Sequence, residues 1–391
     1  MPWKTQCPSE QRLDLVRRMK ARRLTIQELC RQFKISRQTA YKWARRYRQK
    51  GLWGLEDRSR RPRRLALQSA RVWLRRLRRK RLAHPTWGAR KLRHELVLRF
   101  GRQGAPALAT ISRWLQRWGL SRGRRRRRRG PVLLRPRLGR ARRPHEVWTV
   151  DFKGSYRVGD GTRVEPLTVR DLCSRYGLTI TLLRTQSLAR TRRVFRRLFG
   201  EQGVPERIRC DNGTPFGGGG PTGLTRLSAW WVKLGIAVEF ITPGRPCENG
   251  AHEQFHRVYK AEVAARPART RAAQQKRSTQ WLHHYNHERP HEALGMKRPA
   301  EVFQKNRRRA GKVRAWQYPE GWERCWVKGN GEIHWCGVRR YVGEAFVRDY
   351  VGLKRQRQAG VWRVYFGPLL VGELHEKEVG SIRMAKYARA R

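Results

Sequence analysis

Between residues 10 and 47 apolar positions return every third or fourth residue, the spacing of helices that bury one stripe. Leu13, Val16 and Met19 form the first stripe, on a helix capped by Ser9 and starting at Glu10. Thr25-Ile26-Gln27-Glu28 has the form of a capping box, in which hydroxyl and carboxylate satisfy free N–H groups at a helix start. Ile26, Leu29, Cys30 and Phe33 supply the second stripe. After the tight connection Lys34-Ile35-Ser36, Ser36 caps a third helix with Ala40, Trp43, Ala44 and Tyr47 inward. A short turn before a basic third helix predicts a helix-turn-helix unit over residues 1–60, its last helix entering the major groove. Arg37, Gln38, Lys42, Arg45 and Arg46 are the candidate DNA contacts, because Gln and Arg suit base edges.

A second copy is predicted over 61–120, with helices near 69–82, 88–100 and 107–119. In its last helix Ile111, Leu115 and Trp118 point inward, while Ser112, Arg113 and Gln116 point outward, and Arg113 is the candidate DNA contact. Residues 121–144 read as a linker of almost pure charge. Arg122 to Arg129 holds seven arginines and one glycine, and such a block cannot fold alone.

From His145 the pattern changes. Val147–Lys153, Arg163–Val169 and Tyr176–Leu183 read as strands, followed by a basic amphipathic helix over Ser187–Gly200. A short strand then ends at Asp211, a helix runs over Leu224–Leu234, a fifth strand over Ile236–Ile241, and a Pro/Gly loop opens into a helix carrying Glu253. Three strands, helix, strand, helix, strand, helix is the order of a ribonuclease-H-like α/β core, placed at 145–305. In that order Asp151, Asp211 and Glu253 converge on one edge. Three carboxylates there repel and raise one another's pKa unless a divalent cation sits among them, and hard oxygen ligands point to Mg²⁺ or Mn²⁺.

Composition sharpens this picture. The chain of 391 residues has 92 Lys and Arg against 29 Asp and Glu, a net charge of +63. Such a surplus needs a polyanionic partner, and nucleic acid is the obvious one. Seven scattered cysteines, with no C-x-x-C, argue against a disulfide framework or a zinc knuckle. No apolar run reaches the ~18–20 residues of a membrane span. The first residues have no apolar leader core, so the expectation is a cytoplasmic, nucleoid-associated protein with no membrane partner.

Thr149-Val-Asp-Phe, Cys210-Asp-Asn-Gly, Pro243-Gly-Arg-Pro-x-x-Asn-Gly-x-x-Glu253 and Tyr285-Asn-x-x-Arg-Pro-His-x-Ala-Leu294 resemble the integrase catalytic core of bacterial insertion-sequence transposases. That D-D-E group is related to retroviral integrases, and the resemblance covers nearly the whole chain. It implies that Asp151, Asp211 and Glu253 are the catalytic, metal-binding residues. It further implies two Mg²⁺ or Mn²⁺ ions, strand cleavage and 3′-OH strand transfer on double-stranded DNA (element ends and target), and a homo-oligomer pairing two ends. No nucleotide cofactor is expected, since no phosphate-loop lysine motif is present. Glu253 follows Asp211 by 42 positions (253 − 211), longer than is usual for the group, with the excess in the Gly217–Gly223 stretch. Glu248 is the competing third ligand. Glu253 is preferred because it shares a helix face with Arg257 and Lys260, which join Lys153 as candidate phosphate contacts.

Several other features read as structural. The histidines 283, 284, 287 and 291 lack a cysteine pair, Asp171 has Arg175 for an ion pair, and Trp230 and Trp231 suit a core. Cys210 and Cys247 lie beside the acidic residues, but nothing marks either as a nucleophile. Closely spaced strands between Glu323 and Leu374, with Lys328-Gly-Asn-Gly-Glu as a hairpin turn, predict a small β-barrel over 306–391. It resembles the barrel that follows the core in integrases and phage transposases. A non-catalytic DNA-binding regulator, or a nuclease with the same core, is the competing function.

Overall fold

The computed structural model describes residues 7–57, 70–121, 138–218, 223–243, 245–306, 308–311, 313 and 315–384. The Arg122–Arg129 run and part of the Gly217–Gly223 stretch therefore lie outside the described residues. The chain divides into two compact units, residues 1–71 and 72–391.

The first unit holds α1 (Pro8–Ala21), α2 (Ile26–Gln32) and α3 (Arg37–Lys50). Cys7 rather than Ser9 caps α1: its N–H donates to Glu10 Oε2 at 3.1 Å, because Pro8 takes the first helical position. The Thr25–Glu28 capping box and the Ser36 cap form as the sequence predicts. Leu15, Val16, Leu29, Cys30, Ala40, Trp43 and Leu55 make the core. A 3-10 turn over Gly51–Leu55 closes it, and there Gly54 lies so near the Arg46 carbonyl that a Cβ would sit 2.2 Å from the oxygen.

The second unit begins within α4 (Ala70–Ala83), followed by α5 (Ala89–Gly104) and α6 (Leu108–Arg117). Their core includes Leu77, Trp87, Leu92, Ile111, Trp114 and Leu115. Trp114 takes the inward place expected of Trp118, which is half-buried at the helix end.

Next come β1 (Val147–Phe152), β2 (Tyr156–Arg157), β3 (Arg163–Asp171), β4 (Gly177–Leu183), α7 (Leu188–Gln202), β5 (Arg207–Cys210), α8 (Arg226–Lys233), β6 (Ala237–Phe240), α9 (Gly250–Tyr259) and α10 (Arg271–His287). This is the element order expected of a ribonuclease-H-like core, with the short β2 added. β3 pairs antiparallel with β1 and β4, β5 runs parallel to β1, and β6 parallel to β5. One face of the sheet packs on α7 and α8 through Val194, Phe195, Leu198, Phe199 and Trp231. The other packs on α9 and α10 through Phe255, Tyr259, Trp281, Leu282 and Tyr285. Trp230 and Trp231 are core residues, as predicted.

Beyond α11 (Pro299–Val302), the strands are β7 (Glu323–Trp326), β8 (Glu332–Trp335), β9 (Val338–Tyr341), β10 (Tyr350–Arg355), β11 (Val361–Phe366), β12 (Leu369–His375), β13 (Gly380–Ser381) and β14 (Arg383–Met384). The predicted barrel is corrected. Among the described residues these strands form two open sheets, ordered β14-β12-β11-β10-β7 and β13-β9-β8. β9 and β10, on either side of the 3-10 turn over Glu344–Phe346, fall in different sheets and are not paired. Their apolar faces join the core cluster of α7 and α8.

Candidate active site

Parallel pairing of β1 with β5 sets Thr149 opposite Arg209. Two residues further along each chain stand Asp151, still in β1, and Asp211, just past the end of β5. The two carboxylates thus leave the sheet side by side, on strands ~4.8 Å apart. Burial, then the charge of Asp211, with Glu253 adding to it, pushes the Asp151 carboxyl up to about 7. Burial also raises Asp211, against a backbone N–H from Gly213 that favours its charged form. A Cβ at Gly213 would lie 3.2 Å from Asp211 Oδ2, a tight approach to that carboxylate. Asn212 Nδ2 donates to Ile241 O at 2.7 Å and ties the turn to the end of β6. Asp211 Oδ1 is buried with no hydrogen-bond partner.

Glu253 is exposed in the first turn of α9, whose position is set from beneath. The fully buried His252 bridges two strands: Nδ1 lies 2.7 Å from Thr149 Oγ1 and Nε2 lies 2.7 Å from Thr168 Oγ1. His256 Nε2 lies 2.7 Å from the same Thr168 hydroxyl, which itself donates to Asp151 O at 2.9 Å. Arg170 donates to Ala251 O. His256 Nδ1 stands 3.7 Å from Asp151 Oδ2, but burial holds its pKa down to about 3, so it is neutral and brings no charge. Neither His252 nor His256 was singled out by sequence reasoning. Their i, i+4 spacing around Glu253 was the available signal.

The predicted phosphate contacts divide by place. Lys153 is half-buried next to Asp151; burial, then the charge of Lys260, lowers its pKa. Arg257 and Lys260 are exposed on and after α9. In the first unit Arg37, Gln38, Lys42 and Arg45 are exposed on α3, whereas Arg46 lies over the Trp43 ring and donates to Glu56 O at 2.7 Å. Arg113 is exposed on α6.

The competing residues have structural roles. Glu248 accepts from Thr242 N–H at 2.7 Å and Thr242 Oγ1 at 2.9 Å. Asp171 is structural as expected, but its partners are His145 N–H and the N–H and hydroxyl of Ser174, not Arg175. His283 stacks on His287, and His284 Nε2 lies 3.2 Å from His84 Nδ1. Burial pushes the Cys210 thiol well up, and the Cys247 side chain lies outside the described residues.

Among the described residues no three His, Cys, Asp or Glu side chains stand close enough together to cage an ion. The donor chemistry nonetheless suits a hard divalent cation. Two carboxylates stand abreast and the charge of Asp211 helps raise Asp151, one oxygen has no partner, and a third carboxylate stands on the adjoining helix.

The chain matches two models of the integrase core domain, over residues 141–246 and 234–299. It also matches a helix-turn-helix domain over 11–63, a homeodomain-like domain over 39–115, and the IS481 family transposase C-terminal domain over 323–380. An insertion element IS407 uncharacterized 31.7 kDa protein of Burkholderia multivorans is 30% identical over 239 residues, 60% of this chain and 83% of that protein. An insertion element IS476 uncharacterized 39.2 kDa protein of Xanthomonas euvesicatoria is 29% identical over 179 residues, 46% of this chain and 50% of that protein. Among solved structures, the HTLV-2 integrase catalytic core domain in complex with magnesium (dimeric form) is 14% identical and covers 41% of this chain and 97% of its own, with a TM-score of 0.32. A simian T-cell lymphotropic virus intasome in complex with PP2A regulatory subunit B56 gamma is 13% identical and covers 75% of this chain and 97% of its own, with a TM-score of 0.38. Among the described residues no helix is long and apolar enough to cross a membrane.

Proposed function

The chain belongs to the insertion-sequence transposases with an integrase-like core, and from that premise we propose that it cuts DNA at element ends and joins the freed 3′-OH to target DNA. The observation that carries this reading is the pair Asp151 and Asp211, side by side at the ends of adjacent parallel strands, with Glu253 on the helix pinned above them. Those three residues would hold Mg²⁺ or Mn²⁺, two ions in all. When bound, the ions supply Lewis-acid polarisation of a phosphodiester and a more acidic water or hydroxyl.

The rest falls to the chain's own side chains. Lys153, Arg257 and Lys260 bind the phosphates flanking the scissile bond and hold it against the carboxylates. Thr168 and His252 fix the height of α9 over β1, and with it Glu253. Residues 1–60 and 61–120 recognise the element end as separate helix-turn-helix domains, with Arg37, Gln38, Lys42 and Arg45 on α3 and Arg113 on α6 reaching the groove. Residues 121–144 link them to the core at 145–305, and 306–391 add a further DNA-facing domain. The reaction needs no nucleotide cofactor. Pairing two ends calls for more than one copy, and a DNA substrate places the working protein in the cytoplasm on the nucleoid.

A strand-transfer assay with Mg²⁺ and labelled end sequences tests the reading. Wild-type protein should give joined products, and Asp211→Asn should keep end binding while losing joining altogether. Cut but unjoined DNA would make the protein a nuclease, intact shifted DNA a regulator, and wild-type joining by Asp211→Asn would remove the carboxylates from the mechanism.

A further inference from the structure

A groove of about 530 Å³ runs along the outer edge of the central sheet, between the end of β4, α7 and the start of α10. Five exposed arginines line it: Arg184, Arg190, Arg193, Arg197 and Arg271. Among the described residues no carboxylate does. Leu182, Leu183 and Val194 form its floor. Among the described residues only weak internal partners engage these guanidinium groups. Arg197 stands 3.8 Å from the exposed Glu201, a pair worth little in water, and Arg271 donates to Leu182 O at 3.3 Å.

Three candidate occupants can be weighed on chemistry. An added β-strand is blocked, because Gln275 already accepts from Leu182 N–H and donates to Ile180 O, both at 2.8 Å. A second copy of this chain, itself at +63, would bring two sets of five guanidinium groups together. A polyanion fits, and duplex DNA carries a negative charge every ~1.7 Å of its axis.

Position favours the same occupant. On β3, Thr168 faces Asp151 of β1, and three residues earlier Glu165 faces Leu183 of β4. The groove therefore opens at the end of the sheet where Asp151 and Asp211 stand. Two strand spacings, roughly 10 Å, separate β4 from β1. DNA running over the carboxylates toward β4 passes this edge.

We propose that the arginine groove is a second DNA track, gripping the backbone of the duplex that lies over Asp151 and Asp211 without reading its bases. The inference rests on the DNA-joining reading above and adds the surface that holds the substrate. It is read from binding alone, so strand transfer can fail without touching it.

The test uses the full chain and a short fluorescent duplex of arbitrary sequence, with the dissociation constant followed against salt. Arg190→Gln/Arg193→Gln removes two groove charges. Arg196→Gln/Arg309→Gln removes two exposed charges that do not line the groove. At about 0.9 per phosphate contact, the groove double should flatten the log–log slope by about 1.8 while the control leaves it unchanged, and Arg193→Lys should keep the wild-type slope. Equal slope losses in the two doubles, or none in either, would overturn the proposal. So would an unchanged slope with a lower sedimenting mass for the groove double, since the groove would then be a contact between copies.

Discussion

Replacing His252 with alanine should free α9 from the sheet. The ring is wholly buried and joins Thr149, at 1% exposure, to Thr168, at 0%. Thr168 keeps its bond to Asp151 O and its contact with His256, but Thr149 Oγ1 loses its side-chain partner. A buried hydroxyl left unpaired costs about 1–3 kcal/mol, and the vacated ring volume adds about 2 kcal/mol. The sum, about 3–5 kcal/mol, falls on the local opening of α9. At tenfold per 1.4 kcal/mol, amide hydrogens over 250–259 should exchange at least about a hundredfold faster in native buffer. In a Thr149→Val background the same substitution should cost about 1–3 kcal/mol less, because no hydroxyl remains to strand. Protection of α9 within about threefold of wild type would refute the assignment of His252 as the tie between helix and sheet.

Asp151 binds its proton more tightly in the folded state, with a carboxyl at about 7 against an ordinary 3.8. Its ionisation therefore costs stability as pH climbs across that window. Metal-free Asp151→Asn should gain on wild type from pH 4 to 7 and hold its advantage above; a melting-temperature gap that stays constant over that window would contradict the burial argument. Lys91 has the opposite sign: burial, then Arg289, lowers it from 10.5 to about 8, so its charge is penalised at neutral pH. Lys91→Met should stabilise at pH 7 by up to about 3 kcal/mol, with the gain fading between pH 8 and 10.5, and urea unfolding at the two extremes checks it. In Gly54→Ala the new Cβ meets a backbone carbonyl that cannot swing aside, so the first unit should lose about 1–3 kcal/mol. Unchanged exchange of the α3 amides would show that the turn yields.

Much of this was legible in the residues. β-Branched runs gave β3 and β4, the Thr25–Glu28 box gave the start of α2, and apolar spacing gave α6 nearly to the residue. The acidic residues stood out because Asp151 interrupts an apolar run and Asp211 meets an Asn-Gly turn. Other features depend on partners far along the chain. Whether the C-terminal strands close into a barrel is decided by which edges pair, and periodicity carries no information about that. His252 and His256 look like ordinary polar helix positions until Thr149 and Thr168 arrive beneath them. The turn of Arg46 toward Glu56 likewise needs the 3-10 turn after α3, which the linker's Gly-Leu-Trp-Gly composition disguised.

Thr168 has a single hydroxyl proton, and it goes to the Asp151 carbonyl, which can only accept. Both imidazoles that touch that oxygen must then donate from Nε2, which fixes two tautomers at once. His252 Nδ1 becomes an acceptor for the Thr149 hydroxyl. His256 Nδ1 is left as an unprotonated nitrogen 3.7 Å from Asp151 Oδ2. A second negative edge thus faces the carboxylate where a protonated ring would have neutralised it, and the pocket keeps its attraction for positive charge arriving from outside.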